Sequence, residues 1–340
     1  MKKSFLALAV LGAFASVASA QSSVTIYGLV DTGISSIDNG SGRKVGLDSG
    51  NNGASRIGFK GVEDLGNGMK AEFVLENGIN TDDGTGGAGF SRLSYVGLGG
   101  NLGTVRMGKQ NTQVKEMLGH IDPFGAAGIV NSVDYINGGG LNQRVGNQIT
   151  YTSNNYSGFS ATAGYIFGEK VGDTEASSGY GLRVGYKNGP LNVQFGYSNE
   201  NNATVGAANA DLSDTLIGAT YDFGAFKLHG ILGERDADAN FTGAAAAYKY
   251  RSALVGVTVP FGANNIRAEY IRNDKRNTTN ADSNVFALSY LYSMSKRTSL
   301  YATYVRVSND SGSNIGIGGP GEAVAGQNAN ALALGIAHKF

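Results

Sequence analysis

The sequence predicts an all-β protein, a sixteen-stranded antiparallel β-barrel that crosses a membrane. Three observations lead to this prediction. Apolar and polar residues alternate in short runs along the whole chain, which is the period of a strand with two different faces. The connections between these runs are alternately short and long, which is the layout of the two rims of a membrane barrel. The chain also contains 53 Gly, 17 Tyr and 15 Phe but only 4 Pro, which suits many strands joined by turns.

Residues 1–20 are predicted to be a secretory signal peptide rather than part of the fold. Lysines occupy positions 2 and 3, an apolar segment covers residues 5–17, and residues 18–20 read Ala-Ser-Ala. A positive start, an apolar core and a small-residue cleavage site in this order are typical of such a peptide. The mature chain is therefore predicted to be one β-barrel domain over residues 21–340.

Charge and cysteine content exclude several kinds of protein. Loss of the signal peptide leaves 25 basic residues against 27 acidic ones, a net charge of −2, which gives no general attraction to nucleic acid. Export permits disulfides, yet the chain has no cysteine, so it can form neither disulfides nor a cysteine metal site. No run of eighteen apolar residues follows the signal peptide, so no transmembrane helix is predicted.

Sixteen candidate strands follow from the alternating runs. Many contain about eight to twelve residues, and a tilted membrane strand needs about 9–11. The candidates are 24–34, 56–60, 69–76, 91–98, 104–110, 145–153, 159–168, 179–186, 191–198, 213–223, 226–234, 246–259, 265–273, 284–292, 299–307 and 329–340.

The two faces of these strands differ in polarity. In one strand Ile266 and Tyr270 alternate with Arg267 and Glu269. A secreted sandwich or β-helix would turn the apolar face inward, and both remain alternatives. In a membrane the apolar face would contact lipid, which cannot satisfy a free sheet edge, so the sheet must close. Aromatic residues near strand ends fit interfacial girdles. These are Tyr180, Tyr186, Tyr197, Tyr221, Phe223, Tyr292 and Phe340.

Residues 111–144 interrupt the alternation for about thirty positions. A connection this long without a strand pattern is uncommon in a compact domain, and it is usually functional or disordered. It is the third long connection in the count of strands. We expect it to narrow a pore.

Several short motifs resemble the general porins of Gram-negative bacteria, in the branch typical of beta-proteobacteria and neisseriae. The final strand supports this, because Phe340, His338, Ile336, Leu334 and Leu332 form an alternating apolar or aromatic set. Such a strand resembles the signal that outer-membrane assembly machinery recognises. The other motifs are VTIYG at 24–28, SRIGFKG at 55–61, EDLGNG at 63–68 and YVGL at 95–98.

The resemblance implies a homotrimer in the outer membrane, with sixteen strands per subunit and the third external loop folded into the lumen. Small hydrophilic solutes and ions would pass through it. Lipid bilayer, lipopolysaccharide and the assembly machinery would be its partners. No cofactor is implied.

The resemblance also implies a basic cluster on the barrel wall, and strand parity selects its members. Arg56 and Arg92 are predicted to point inward because Ile57 and Leu93 are predicted to face outward. Arg144 stands where the long loop rejoins the wall. Lys60 and Arg106 share the inward parity. Rings of charge are one way in which pores select ions, so we expect a weak to moderate anion preference. An ordinary solvated residue or ion pair remains the alternative for each.

The long loop supplies the candidate counter-charges Glu116, Asp122 and Asp134. Its tip, at Pro123, Phe124 and Gly125, resembles the Pro/Phe-Gly turn of the family but lacks the usual Glu. Pro123 fixes a backbone dihedral and Gly125 permits a sharp bend, so the turn could be structural or could act in selectivity.

Other kinds of site find little support. The pattern G-x-G-x-x-G at 84–89 precedes a strand rather than a helix, which argues against phosphate binding. His120, His229 and His338 lack metal-ligand spacing, so no metal site and no enzyme are predicted. Two alternative functions remain. A substrate-specific channel would need aromatic residues along the lumen, and an adhesin or receptor would need longer external loops.

Overall fold

The computed structural model describes residues 23–201, 210–239, 241, 247–276 and 278–340. The predicted signal peptide lies outside these residues, as does position 246, where one candidate strand was predicted to begin.

Nineteen strands and one α-helix make up the regular structure of the described residues. The strands are β1 Ser23–Asp38, β2 Arg43–Ser49, β3 Arg56–Gly66, β4 Met69–Gly78, β5 Leu93–Gly100, β6 Gly103–Asn111, β7 Arg144–Thr152, β8 Phe159–Ile166, β9 Gly179–Asn188, β10 Leu191–Asn201, β11 Asp211–Asp222, β12 Lys227–Ala237, β13 Tyr248–Phe261, β14 Asn264–Lys275, β15 Ser283–Ser293, β16 Thr298–Asn309, β17 Ile315–Gly316, β18 Gly319–Pro320 and β19 Ala329–Lys339. Helix α1 is Gln113–Ile121, and 3-10 turns cover Gly128–Val130, Ser132–Asp134 and Ile136–Gly138.

The barrel closes where the first strand meets the last. On one side β1 pairs antiparallel with β19, from Leu29 opposite Lys339 to Asp38 opposite Asn330. On its other side β1 pairs with β3, which begins a chain of antiparallel neighbours that returns to β19 through β16. The result is a closed antiparallel barrel of sixteen strands, so the predicted fold is confirmed.

Strand β2 was not predicted, because no candidate strand lies between residues 34 and 56 in the sequence pattern. It pairs with the end of β1 nearer the long loops, whereas β3 pairs with the other end. The two strands therefore share one position in the barrel, and residues 50–55 leave the wall between them. Asp31 holds this segment: its Oδ2 accepts hydrogen bonds from the backbone N–H groups of Asn52 (2.8 Å) and Gly53 (2.7 Å).

Apolar side chains cover much of the outer wall. In β19 the residues Leu332, Leu334 and Ile336 are about half exposed, whereas the alternating alanines are buried. Phe340 follows the same outward parity and is also exposed. The predicted alternation of the last strand is therefore present, while its role as an assembly signal stays a prediction.

The third long connection, residues 111–144, folds into the barrel as predicted, and below it is called the inner loop. It is more regular than the sequence analysis expected, because α1 occupies its first part. Thr112 caps the helix by accepting a hydrogen bond from Lys115 N–H at 3.3 Å. Buried apolar residues recur along one helix face, which packs on the inner wall. They are Val114, Met117, Leu118 and Ile121.

A glycine on the wall, Gly196 of β10, allows α1 to pack this closely. A Cβ added to Gly196 of β10 would lie only 3.0 Å from the Cβ of Met117. The inner loop thus builds a small hydrophobic core inside the lumen, where Val133, Tyr135 and Ile136 have no exposed surface.

The last long loop also turns inward. Strands β17 and β18, which have two residues each, form a hairpin. Its residues Ile315 and Ile317 belong to the same buried cluster as the inner loop. Among the described residues, no helix has both the length and the apolar character to cross a bilayer.

Candidate pore constriction

A cavity of about 500 Å³ lies between the inner loop and one side of the barrel wall, and below it is called the basic cavity. The wall side comes from the β2–β3 connection and from the ends of β3 to β7 nearest the long loops. Four basic side chains and one carboxylate line it. These are Arg56, Arg92, Lys115, Arg144 and Glu76.

Three of the predicted basic residues thus lie together, but Arg92 reaches the cavity for a different reason from the predicted one. Leu93 was predicted to face outward, but it lines the basic cavity. Strand β5 begins at Leu93, so Arg92 precedes the strand and does not follow its parity. Its backbone N–H still bonds the carbonyl of Glu76 at 3.1 Å, which keeps Arg92 beside the wall.

Glu76 is the carboxylate around which the arginines gather. Its Oε1 lies 2.6 Å from Nε of Arg92, and its Oε2 lies 3.5 Å from Nε of Arg56. The hydroxyl of Tyr27 also donates a hydrogen bond to Oε2 at 3.0 Å. One carboxylate therefore serves two guanidinium groups, and the cavity keeps an excess of positive charge.

Lys115 comes from the first turn of α1 and was not singled out from the sequence. Its Nζ donates a hydrogen bond to the carbonyl of Ala126, so the ammonium group is held inside the loop. Burial and the neighbouring positive charge of Arg144 lower the pKa of Lys115 to about 8. This cation therefore titrates near neutral pH.

Lys60 and Arg106 lie further along the lumen wall and do not line the basic cavity. Each is backed by a tyrosine ring. Nζ of Lys60 lies 5.1 Å from the ring centre of Tyr27, and the guanidinium of Arg106 lies 5.2 Å from that of Tyr95. Arg106 also pairs with Glu72, whose Oε1 lies 2.6 Å from its Nε. The lumen wall thus contains aromatic residues at Tyr27 and Tyr95.

None of the three predicted loop acids lines the basic cavity. Glu116 lies 3.4 Å from Arg183 of β9, on the opposite wall, and burial raises its pKa. Asp122 accepts the backbone N–H groups of Phe124 (2.6 Å) and Ala126 (2.8 Å). Burial raises the pKa of Asp134 to about 6, against the opposing effects of a hydrogen bond from Asn131 and the charge of Lys115.

The loop-tip turn contacts the far wall. Pro123 packs against Gly256, and the ring of Phe124 lies 4.7 Å from the guanidinium of Arg267. Gly125 and Ala126 have positive φ angles of 69° and 51°, which produce the sharp bend. These contacts give the turn a structural role.

Polar anchors fix the rest of the loop to β11–β14. Asp214 and Arg235 form a buried bidentate salt bridge, with N···O distances of 3.0 and 2.8 Å. Asn137 donates to Oδ1 of Asp214 at 2.9 Å, and Arg235 donates to the carbonyl of Gly139 at 2.6 Å. Asn273 donates to the carbonyl of Tyr135 at 2.9 Å. The inner loop is therefore held on the side opposite the basic cavity.

The arrangement suits the passage of ions rather than chemistry on a substrate. Within the described ranges, no cluster of three His, Cys, Asp or Glu residues could hold a metal ion. Three arginines and a lysine border the cavity, and the described residues that line it include no Ser, Thr, Cys or His. Glu76 could have been recognised earlier, because its inward parity follows from the alternation of β4.

Comparison with known proteins gives matches along nearly the whole chain. A model of the Gram-negative porin family matches residues 7–312. Outer membrane porin protein 32 of Delftia acidovorans is 35% identical, and the alignment covers 100% of both chains. An outer membrane porin protein of Bordetella pertussis is 32% identical over 89% of this chain and 93% of that one. A solved anion-selective porin from Comamonas acidovorans has a TM-score of 0.84 at 32% identity, covering 94% of this chain and 100% of that chain.

The range matched by the family model contains strands β1 to β16 and the inner loop. The matches confirm the resemblance drawn from the short motifs and place the protein in the outer membrane as an integral barrel. Porins are channels rather than enzymes, as the sequence analysis expected. This chain belongs to the Gram-negative porin family.

Proposed function

We propose that this porin is a trimeric diffusion channel that passes small hydrophilic solutes and prefers anions. The observation that carries the proposal is the basic cavity, where four cations face one carboxylate beside the loop that narrows the lumen. The similarity to a solved anion-selective porin, at 32% identity, supports the same preference.

The physical basis is the field of unbalanced charge in a wet passage. Arg56, Arg92, Lys115 and Arg144 raise the local concentration of anions and oppose the entry of cations. Glu76 lowers the repulsion among the guanidinium groups without cancelling it. Because salt screens the field over about 10 Å at 0.1 M and about 3 Å at 1 M, the preference should weaken as salt is raised.

Reversal potentials in planar bilayers under a KCl gradient test the proposal. Wild type should show anion preference, and the double variant Arg56→Gln/Arg92→Gln should shift strongly toward cation preference. Arg251→Gln is a matched control, because Arg251 is exposed on the outer wall and pairs with Glu234. An unchanged reversal potential in the double variant would remove the assigned role of these arginines. Conductance steps in groups of three would support the trimer.

The remaining partners follow from the outer surface. The apolar wall fits a lipid bilayer, and lipopolysaccharide would meet the rim of long loops in the outer leaflet. The alternating set that ends at Phe340 faces outward, where assembly machinery could read it. Both contacts are part of the proposal.

A further inference from the structure

A second cavity, of about 680 Å³, lies at the end of the barrel that carries the short turns, and below it is called the vestibule. The C-terminal end of α1 and the inner faces of β8 to β13 line it. The basic cavity contacts the first turn of the same helix, so α1 runs from one cavity to the other. Five side chains that are or can become positive line the vestibule. They are His120, Arg183, Lys187, Lys227 and His229.

The negative groups of the vestibule are already occupied. Asp122 accepts the two backbone N–H groups of the loop-tip turn. Asp222 accepts the backbone N–H of Gly224 at 2.9 Å and lies 3.5 Å from Nζ of Lys227. The arginine and lysine side chains of the lining, Arg183, Lys187 and Lys227, therefore outnumber its carboxylates by three to two.

The carbonyl groups that end α1 are engaged as well. The carbonyl of His120 accepts a hydrogen bond from Nδ2 of Asn192 at 3.2 Å, and that of Ile121 contacts Nδ1 of His229. A free helix C-terminus would repel an anion, but here its oxygens are turned to the protein.

Cationic side chains and neutral hydrogen-bond donors of the vestibule remain available to a ligand. The guanidinium of Arg183 donates hydrogen bonds to Oε1 of Gln194 at 3.0 Å and to Oγ1 of Thr162 at 3.2 Å. It also forms an ion pair with Glu116. Lys187 forms no salt bridge with any described residue. His120 lines the same cavity as Arg183 and Lys187, and burial together with their positive charges lowers the pKa of His120.

We infer that the vestibule is a second anion-binding subsite, which takes oxyanions carrying two or more charges. The inference rests on the proposed passage of anions through this channel. A single chloride gains little from separated cations. A phosphate-type anion has several oxygens, so it would accept hydrogen bonds from more than one of the donors that line the vestibule, among them Lys187 and Arg183. The volume is ample for such a ligand.

Block of the chloride current by inorganic pyrophosphate tests the subsite, with the probe added to each side of the bilayer in turn. From the short-turn side, wild type should be blocked, and Lys187→Gln should raise the half-blocking concentration about tenfold, the value of one charge-assisted contact. From the long-loop side, the variant should match wild type. Lys296→Gln is the control, because Lys296 lies in a short turn but does not line the vestibule.

The chain has no cysteine, so Ser41→Cys in an exposed loop allows orientation to be read with an impermeant thiol reagent. Equal block of wild type and Lys187→Gln from the short-turn side would overturn the subsite. The reversal potential of the same channels in KCl reports separately on the proposed function. Loss of anion preference there, with the block intact, would refute the proposed function and leave the subsite standing.

Discussion

Two sides of the same lumen use charge in opposite ways. Beside β3 to β7, four cations share one carboxylate and border a cavity of about 500 Å³. Beside β11 to β14, Arg235 and Asp214 pair in bidentate fashion, and both side chains are about 5% exposed or less. Both sides contain arginine and acidic residues at inward-facing positions, so residue type alone does not distinguish them.

The difference lies in balance and hydration. A charged side chain that is buried away from water needs an oppositely charged partner. Burial removes its hydration, and without a partner no other interaction compensates for that loss. A charge beside water can stay unbalanced, and its field then acts on mobile ions. The β11–β14 side, called the dry wall below, therefore holds the inner loop. The β3–β7 side, called the wet wall below, acts on the ions that pass through the lumen.

The largest expected effect comes from breaking the dry pair. Asp214→Ala leaves Arg235 buried without its partner and removes the acceptor of Asn137, so the free energy of unfolding should fall by about 3–5 kcal/mol. Thermal denaturation in detergent would measure this. Asp274→Ala breaks an exposed pair with Arg276 and should cost about 0–1 kcal/mol. Equal losses in the two variants would contradict the distinction between the walls.

An intermediate effect is expected from the wet wall. Glu76→Gln removes the only carboxylate that lines the basic cavity among the described residues, while its amide oxygen can still accept from Arg92. Anion preference in a KCl gradient should therefore increase. Glu63→Gln removes a charge from an exposed position of β3 outside the cavity and serves as the control. A decrease in anion preference on Glu76→Gln would contradict the charge count.

The smallest effect is a dependence on pH. The pKa of Lys115 is lowered to about 8, so this cation is present below that pH and is lost as pH rises through it. Anion preference should fall between pH 7 and 9, as measured by reversal potential. Lys115→Arg should keep the preference constant over this range, and Lys115→Gln should lower it at both ends. If Lys115→Arg retained the alkaline step, another group would be its source.

A separate rise in anion preference is expected as pH falls through about 6, where Asp134 becomes neutral.

Local patterns were enough to predict the barrel. Each strand needs one face for lipid and one for the lumen, and this alternation is visible in residues such as those from Leu332 to Phe340. The parity of Arg56 likewise follows from its own neighbours. Parity failed for Arg92, because a side chain just outside a strand is not bound by the strand's alternation.

The sequence by itself thus determined most strands of the wall and the closure of the sheet, because lipid requires apolar alternation and permits no free edge. The break in that alternation also located the inner loop along the chain. Only the tertiary structure decided which charges are partners. Glu76 and Arg92 are 16 residues apart, and Arg183 of the wall meets Glu116 of the inner loop. Such contacts depend on the register of the barrel and the path of the loop, which bring together residues that no local pattern connects.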